Sequence, residues 1–591
     1  MESTPFHVEN HRVQVCVVGG GLAGLCAAVA SARRGARTLL MHDRPVLGGN
    51  ASSEIRMWVC GAHGRDRRET GIIEEILLKN QFLNPGKNYS LWDSVLYGMC
   101  TRQERLETLL NCACVQGEMA DGCLHNVTGF QPTTQVWHRV EAELFIDCSG
   151  DSVLAPITGA PCRMGREGYD EYGESFAPEQ ADNKTMGISC LIQARREREE
   201  SVFIPPKWAK RKNRADLDPH RLPNLDDPME NFWYLELGGE EDCIRDAERI
   251  KDELIAEALG LWDYLKNAPE NREKNRLWRL DWIGFLPGKR ESRRYLGDYV
   301  MTEHDVLSGG HFDDLIAYGG WSMDDHHPAG LRTHEPPTTY HDSPSPFGIA
   351  YRCLYSAAVP NLMFAGRNIS VTHSALSATR VMATCATLGQ AAGTAAALAV
   401  KDGIGPREVY ALHIDRLRQA LMEDDCYLPY ARRAIPLCSQ QGTYRLAERD
   451  ASILKNGLDR PIDGEDNGLF VPLGSAIEVD FPFERKVSGI RLIFDSDLNR
   501  ETLPETARGL RRPMPGNRIT GQPDSCVPAT LVRAFRVEAL TSVGWRTLLL
   551  EENNYLRLFT AHLCTSTRAL RITPLTTWGS QAAHIFSLDV L

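Results

Sequence analysis

Val15-Cys-Val-Val-Gly-Gly-Gly-Leu-Ala-Gly-Leu-Cys-Ala-Ala-Val-Ala30 is the stretch on which the fold turns. A short β-branched run leads into G-x-G-x-x-G, formed by Gly19, Gly21 and Gly24, and an Ala-rich helical pattern leads out. This is the strand–turn–helix context that a dinucleotide fingerprint requires. Gly19 permits the tight turn, Gly21 lets a pyrophosphate approach bare backbone, and Gly24 lets the helix pack against the strand. Backbone N–H groups at the helix start, around Leu22 and Ala23, then meet a negative ligand. The stretch alone predicts a redox protein that holds FAD or NAD(P).

Moving outward, Thr38-Leu-Leu-Met reads as a second strand, followed by the loop Arg44-Pro-Val-Leu-Gly-Gly-Asn. Glu143-Leu-Phe-Ile reads as another strand, ending at Asp147-Cys-Ser-Gly-Asp-Ser. Residues 190–230 are rich in charge and proline, and a helical pattern follows from Ile244 to Lys266. Near residue 361 the N-terminal character returns. Asn361-Leu-Met-Phe-Ala-Gly-Arg is a strand and a glycine turn before a long Ala/Gly helix. That order suits a nucleotide-binding fold interrupted by an inserted domain.

After about residue 445 helical periodicity gives way to alternation: Ile477, Val479 and Phe481; Ile490, Leu492 and Phe494; Phe535, Val537 and Ala539; Leu570 and Ile572. Alternating runs separated by turn residues signal an all-β sandwich. The expected fold class is α/β: a Rossmann-like three-layer ββα nucleotide domain, an inserted α+β substrate domain, and a C-terminal all-β sandwich. The expected boundaries are 1–165 and 346–405 for the nucleotide domain and 166–345 for the insert. A helical connector at 406–445 and the sandwich at 446–591 complete the chain.

Composition narrows the class. The chain has 591 residues, 42% hydrophobic and 24% charged, which suits a globular protein of roughly three to four domains. A formal net charge of −12 argues against nucleic-acid binding by bulk electrostatics. MESTPFHVENHR has no basic or apolar signal region, so a cytoplasmic location is expected. The apolar run Val381–Val400 contains Gln390 and follows Arg380, so it reads as a buried helix and not a membrane span. Seventeen scattered cysteines include no C-x-x-C; they read as reduced thiols, and no metal is expected.

Several segments together resemble the FAD-dependent oxidoreductases of the glutathione-reductase-like two-domain type, in the bacterial branch with a C-terminal discoidin-like sandwich. The resemblance is carried by Gly19–Gly24, Leu47-Gly-Gly-Asn-Ala-Ser-Ser-Glu-Ile-Arg56, Asp147-Cys-Ser-Gly-Asp151, Arg290-Glu-Ser-Arg-Arg294, Gly319-Gly-Trp-Ser-Met-Asp-Asp-His-His327, and Ala365-Gly-Arg-Asn-Ile-Ser370 through Thr384. It implies that FAD is held by two distant segments. The first comprises Gly49, Asn50, Ala51 and Ser52, with Ser149, Gly150 and Asp151. The second comprises Gly366, Arg367, Thr379, Arg380, Val381 and Met382. The family often ends its second strand with an acid for the adenosine ribose. Here His42 holds that position, followed by Asp43 and Arg44, so His42 or Asp43 would meet the ribose. Arg44 leaves NADP as an alternative. Only Cys60 lies near the Gly48-Gly49 loop, which sets a disulfide reductase aside.

Oxidation of a C–H bond at flavin needs a base near the reacting carbon, and histidine suits neutral pH. His327 and His373 are the expected bases, with His326 as the alternative. Arg293, clustered with Arg290 and Arg294, is expected to grip a carboxylate or sugar hydroxyls, or to balance the charge at flavin N1. Trp321 is a candidate sugar platform, as are Trp545 and Trp578 in the sandwich.

Three functions follow. The first is oxidation of a secondary hydroxyl of a sugar, glycoside or related small polar molecule. The second is CH–CH chemistry on a carboxylic acid. The third is a flavin-bound carbohydrate-binding protein with little turnover. A homo-oligomer is compatible with all three, and none of them fixes the electron acceptor.

Overall fold

A computed structural model describes residues 5–217, 219–502, 514–521 and 524–591. The chain divides into two compact units: Met1–His63, Lys87–Leu417 and Arg512–Gln522 form the first; Gly64–Gly86, Arg418–Arg511 and Pro523–Leu591 form the second.

The first unit is built on a five-stranded sheet. Its order is Leu362–Phe364, Leu144–Asp147, Val15–Val18, Thr38–Met41 and Leu106–Leu109, with every neighbouring pair parallel. The strands are short and continuously buried, as parallel strands covered on both faces must be. Helices Leu22–Arg33 and Met382–Asp402 pack together beside this sheet. They meet where a Cβ on Gly389 or Gly393 would collide with the carbonyls of Ala23 or Ala27. Small residues therefore set the distance between the two helices. Met382–Asp402 passes the length and hydropathy criteria for a membrane helix, but 94% of its most apolar window is buried in this core. A second sheet pairs Val8–Arg12 in parallel with Val136–Glu141, which continues antiparallel through Cys123–Gln131 to Ala113–Ala120.

The inserted region carries helix Ala247–Asn267, whose Leu254, Leu261 and Trp262 pack with Ile188, Ile192 and Phe232 in a separate core. Strand Ile192–Arg196 lies between Trp278–Ile283 and Arg518–Ile519. That last strand falls inside the span expected to be sandwich, yet it completes the insert. Gly516 makes this possible, since its N–H donates to the Pro228 carbonyl and a Cβ there would strike the Glu230 carbonyl.

The second unit is an eight-stranded antiparallel assembly in which Ile477–Phe494 pairs with both Leu558–Thr577 and Ala582–Val590. Every alternating residue anticipated for it, from Ile477 to Ile572, is buried. Helix Ile72–Leu83, expected with the nucleotide domain, belongs here instead. Its Phe82 stacks on Tyr555 at 4.1 Å, and its Glu74 pairs with Arg500 at 2.8 Å in the interior. The hydrophobic strand pattern could not reveal a helix borrowed from far upstream. Trp578 is committed to packing: its indole N–H donates to the Asn554 carbonyl and Arg533 lies over its ring. Trp545 is half-buried under Arg571.

Candidate active site

The three fingerprint glycines play three separable roles. Gly19 has φ +102°, and a Cβ there would lie 2.5 Å from the Cys148 carbonyl carbon. A Cβ on Gly24 would collide with the Gly19 carbonyl, so this glycine lets the helix seat on its own turn. A Cβ on Gly21 would meet only Gly49 Cα, at 4.0 Å. Gly21 therefore faces open space, and that space is a cavity of about 1080 Å³.

Two helix starts reach the same cavity. Leu22 and Ala23 line it from the first helix, and Val381 and Met382 from the second. Neither helix has a side-chain cap or an acid in its first turn. Each leaves partial positive charge for an anionic or electron-rich ligand. Between them lie Gly49, Asn50, Ser149, Gly150, Asp151, Gly366 and Arg367. Buried Asp147 shapes one wall: it accepts from Ser149 and Leu154 N–H and from the Tyr295 hydroxyl at 2.6 Å, fixing the turn at Gly150. Asp151 binds Lys289 at 2.6 Å and Arg367 at 2.7 Å, so it acts by holding two cations at the cavity wall. The Nε atoms of Arg367 and Arg380 are buried without a hydrogen-bond partner. A long, doubly anionic ligand fits this donor set and the two cradles, as FAD does.

Four expected contacts are supports instead. Gly24 is a packing residue, as described. The Ala51 carbonyl accepts from the Trp92 indole at 2.8 Å, and Ser52 Oγ donates to the Gly49 carbonyl at 2.7 Å. These two shape the loop and do not line the cavity. Thr379 is likewise buried behind Arg380. His42 lines the cavity, but its ring is already engaged. Nδ1 accepts from Gly20 N–H at 2.9 Å, and Nε2 faces the Val46 carbonyl at 3.0 Å. That leaves Asp43, whose side chain is 62% exposed, as the acid available to a ribose. Arg44 sits 3.6 Å from Glu54 and 3.9 Å from Asp43, compensated by carboxylates.

At the insert end the wall changes to Trp233, Trp282, Trp321, Tyr340, Arg290, Asp324 and His326. Here the expectations about bases need correcting. His373 is buried off the cavity, with Nδ1 2.9 Å from Glu291 and Nε2 3.1 Å from Asp325. Burial works to lower its pKa, but the two carboxylates outweigh burial and raise it to about 10. An imidazolium locked in that way takes no further proton. His327 is half-buried outside the cavity lining, its Nδ1 accepting from Ala329 N–H at 3.2 Å. Arg293 also lies off the cavity, 3.4 Å from the Asp151 carbonyl. Only His326, of the four expected catalytic residues, faces the cavity.

His326 Nδ1 lies 2.6 Å from Glu236 Oε2, and its Nε2 lies 3.5 Å from Asp324 Oδ1. Arg290 approaches the same Glu236 oxygen at 3.4 Å, donates to Ser189 Oγ at 2.7 Å and to the Trp233 carbonyl at 3.0 Å. Arg380 pairs with Asp324 at 3.2 Å. Burial works to raise the Glu236 carboxyl, but Arg290 and His326 outweigh it and hold it below its ordinary value. Asp324 is likewise raised by burial and lowered further by His326 and Arg380. Sequence reasoning passed over Glu236. Its one signal is an acid inside the apolar run Tyr234-Leu-Glu-Leu237, all four of which are buried.

No curated protein matches the chain. Among solved structures it is similar to a geranylgeranyl bacteriochlorophyll reductase-like protein of Thermoplasma acidophilum, 11% identical over 70% of this chain and 86% of that one, at a TM-score of 0.31. It is also similar to a family 32 carbohydrate-binding module of Streptococcus pneumoniae EndoD, 9% identical over 25% of this chain and 91% of that one, at 0.19. The corresponding module of C. perfringens NanJ in complex with galactose is 16% identical over 26% and 96%, at 0.17. The family model described as FAD dependent oxidoreductase, by contrast, matches residues 14–421, which contain every residue that lines the cavity. The chain is an enzyme of the FAD dependent oxidoreductase family.

Proposed function

We propose that this enzyme oxidises a CH–OH group of a sugar, glycoside or related small polar substrate, with His326 as the base. The observation that carries the reading is the Glu236–His326 pair, 2.6 Å apart, on a cavity wall shared with Trp233, Trp282 and Trp321. Bound FAD supplies a hydride acceptor at flavin N5. The chain's residues do the rest. Glu236 orients the imidazole by accepting from Nδ1–H. Nε2, too far from Asp324 for a strong hydrogen bond, is the nitrogen that takes the hydroxyl proton. Indole faces suit the apolar faces of a sugar ring, and Tyr340 adds a polar contact, while the Trp321 N–H donates to Asp324 at 3.4 Å.

A carboxylic-acid substrate fits less well. At the insert end of the cavity the cations are Arg290 and Arg380, and Glu236 and Asp324 neutralise them one for one. A carboxylate clamp needs positive charge to spare. The sandwich is proposed as a discoidin-like packing module, since Trp578 is engaged within it. The proposal keeps the cytoplasmic location expected from the sequence.

Anaerobic titration of the purified yellow protein tests this reading. Bleaching by glycosides or sugars supports it. Reoxidation of the reduced enzyme by enoates, with no response to sugars, would replace it with CH–CH chemistry. A silent panel of both classes favours a binding protein with little turnover.

A further inference from the structure

The sheet formed by Val8–Arg12 and Val136–Glu141 brings together groups that no short motif joins. The strands are parallel, with Glu9 opposite His138 and His11 opposite Val140. His11 Nε2 lies 3.0 Å from His138 Nδ1, and Glu9 Oε2 lies 3.8 Å from that same Nδ1. Both rings are largely buried, with side chains 7% and 5% exposed.

The outer nitrogens of both rings are assigned by their partners. His11 Nδ1 is 3.0 Å from the Glu107 carboxylate, so it carries hydrogen. His138 Nε2 faces Gln131 Oε1 at 3.3 Å. The Gln131 amide cannot be turned round, because its Nε2 donates to the Leu110 carbonyl at 2.7 Å and its Oε1 accepts from Thr134 Oγ1 at 2.6 Å. His138 Nε2 therefore carries hydrogen too. For two neutral rings this sets two bare nitrogen lone pairs face to face 3.0 Å apart, with the ring centroids 5.2 Å apart and a Glu9 carboxylate oxygen 3.8 Å from one of them. Such an arrangement is repulsive unless a cation sits there.

We infer that Glu9, His11 and His138 bind a first-row divalent cation of the zinc class. Ligands about 2.0–2.1 Å from a tetrahedral zinc stand about 3.3 Å apart. The observed separations of 3.0 and 3.8 Å bracket that value. Neutral imidazole and carboxylate are the donors zinc takes. Glu107 and Gln131 occupy the supporting positions usual for metal-bound histidine, orienting each ring through its other N–H. The ion would tie strand Val8–Arg12 to its neighbour, a structural role apart from the flavin cavity.

A proton is the competing occupant. The Glu107 hydrogen bond raises the His11 pKa against burial, and a protonated His11 would donate to His138. Equilibrium dialysis of the flavin-loaded enzyme against zinc, followed by elemental analysis and zinc K-edge absorption, separates the two. The expected result is one zinc per chain with nitrogen and oxygen neighbours at about 2.0–2.1 Å and no sulfur near 2.3 Å. His11→Ala with His138→Ala removes that zinc, and Glu107→Gln weakens it about 10- to 100-fold. Wild-type enzyme that holds no zinc, or holds it only through sulfur, overturns the inference even where the variants fail to fold. Folded variants that retain the zinc overturn it as well.

Discussion

His326 Nδ1 and Glu236 Oε2 stand 2.6 Å apart across ninety residues of sequence, and both side chains are buried. A histidine held in this way presents one nitrogen to its anchor and the other to the substrate. The anchor is as testable as the base. Glu236→Gln keeps the shape but removes the acceptor charge that stabilises the proton on His326. The account predicts that flavin reduction slows by about 10²-fold or more with flavin content unchanged, as read by anaerobic stopped-flow absorbance.

The glycines of the fingerprint predict opposite phenotypes. Gly21→Ala adds a Cβ to open cavity space, with its nearest neighbour 4.0 Å away. The protein should fold and lose flavin, seen as a colourless chain with near-native thermal unfolding. Gly24→Ala drives a Cβ into the Gly19 carbonyl. It should cost about 1–3 kcal/mol of stability, measured by denaturant unfolding.

His373 makes a pH prediction. Its pKa in the folded protein is about 10, raised from 6.5 by Glu291 and Asp325 against burial. A raised folded pKa means that folding retains a proton the unfolded chain gives up. The stabilisation is complete below about pH 6.5 and is lost as pH rises through about 10. Denaturant midpoints of wild type against His373→Gln should therefore converge between those limits. A difference independent of pH would refute the buried imidazolium.

Helix Ile72–Leu83 is predicted to stabilise the sandwich unit. Removing Glu74 leaves Arg500 charged and buried, and such a loss costs about 3–5 kcal/mol. Glu74→Ala should lower the unfolding temperature, and Glu74→Ala with Arg500→Leu should recover part of the loss.

The nucleotide-binding half was legible because its signals are local. A strand, a glycine turn and a small-residue helix follow one another directly at Gly19, and the same order returns at Gly366 with the short helix His373–Thr379 between the turn and the long helix Met382–Asp402. The sandwich was legible because alternation has period two and needs no partner. The base was harder. Asp324-Asp-His-His327 contains both a histidine that lines the cavity and one that does not. The strand Met323–His326 sends Asp324 and His326 to the cavity and Asp325 to His373, as alternation requires. His327 falls past the strand end. His373 lies seven residues past Gly366 at the start of helix His373–Thr379, and closeness in sequence to the glycine turn says nothing of the two carboxylates that enclose it. Glu236 and the helix at 72–83 depend on contacts across long separations, which no window of sequence displays.

The central claim is that His326 takes the substrate's hydroxyl proton. The measurement that tests it most directly is the rate of anaerobic flavin reduction in His326→Ala against wild type, on a sugar or glycoside that bleaches the wild-type enzyme. The account predicts a fall of about 10²- to 10⁴-fold at neutral pH with flavin still bound. An unchanged rate in a flavin-loaded variant would contradict it.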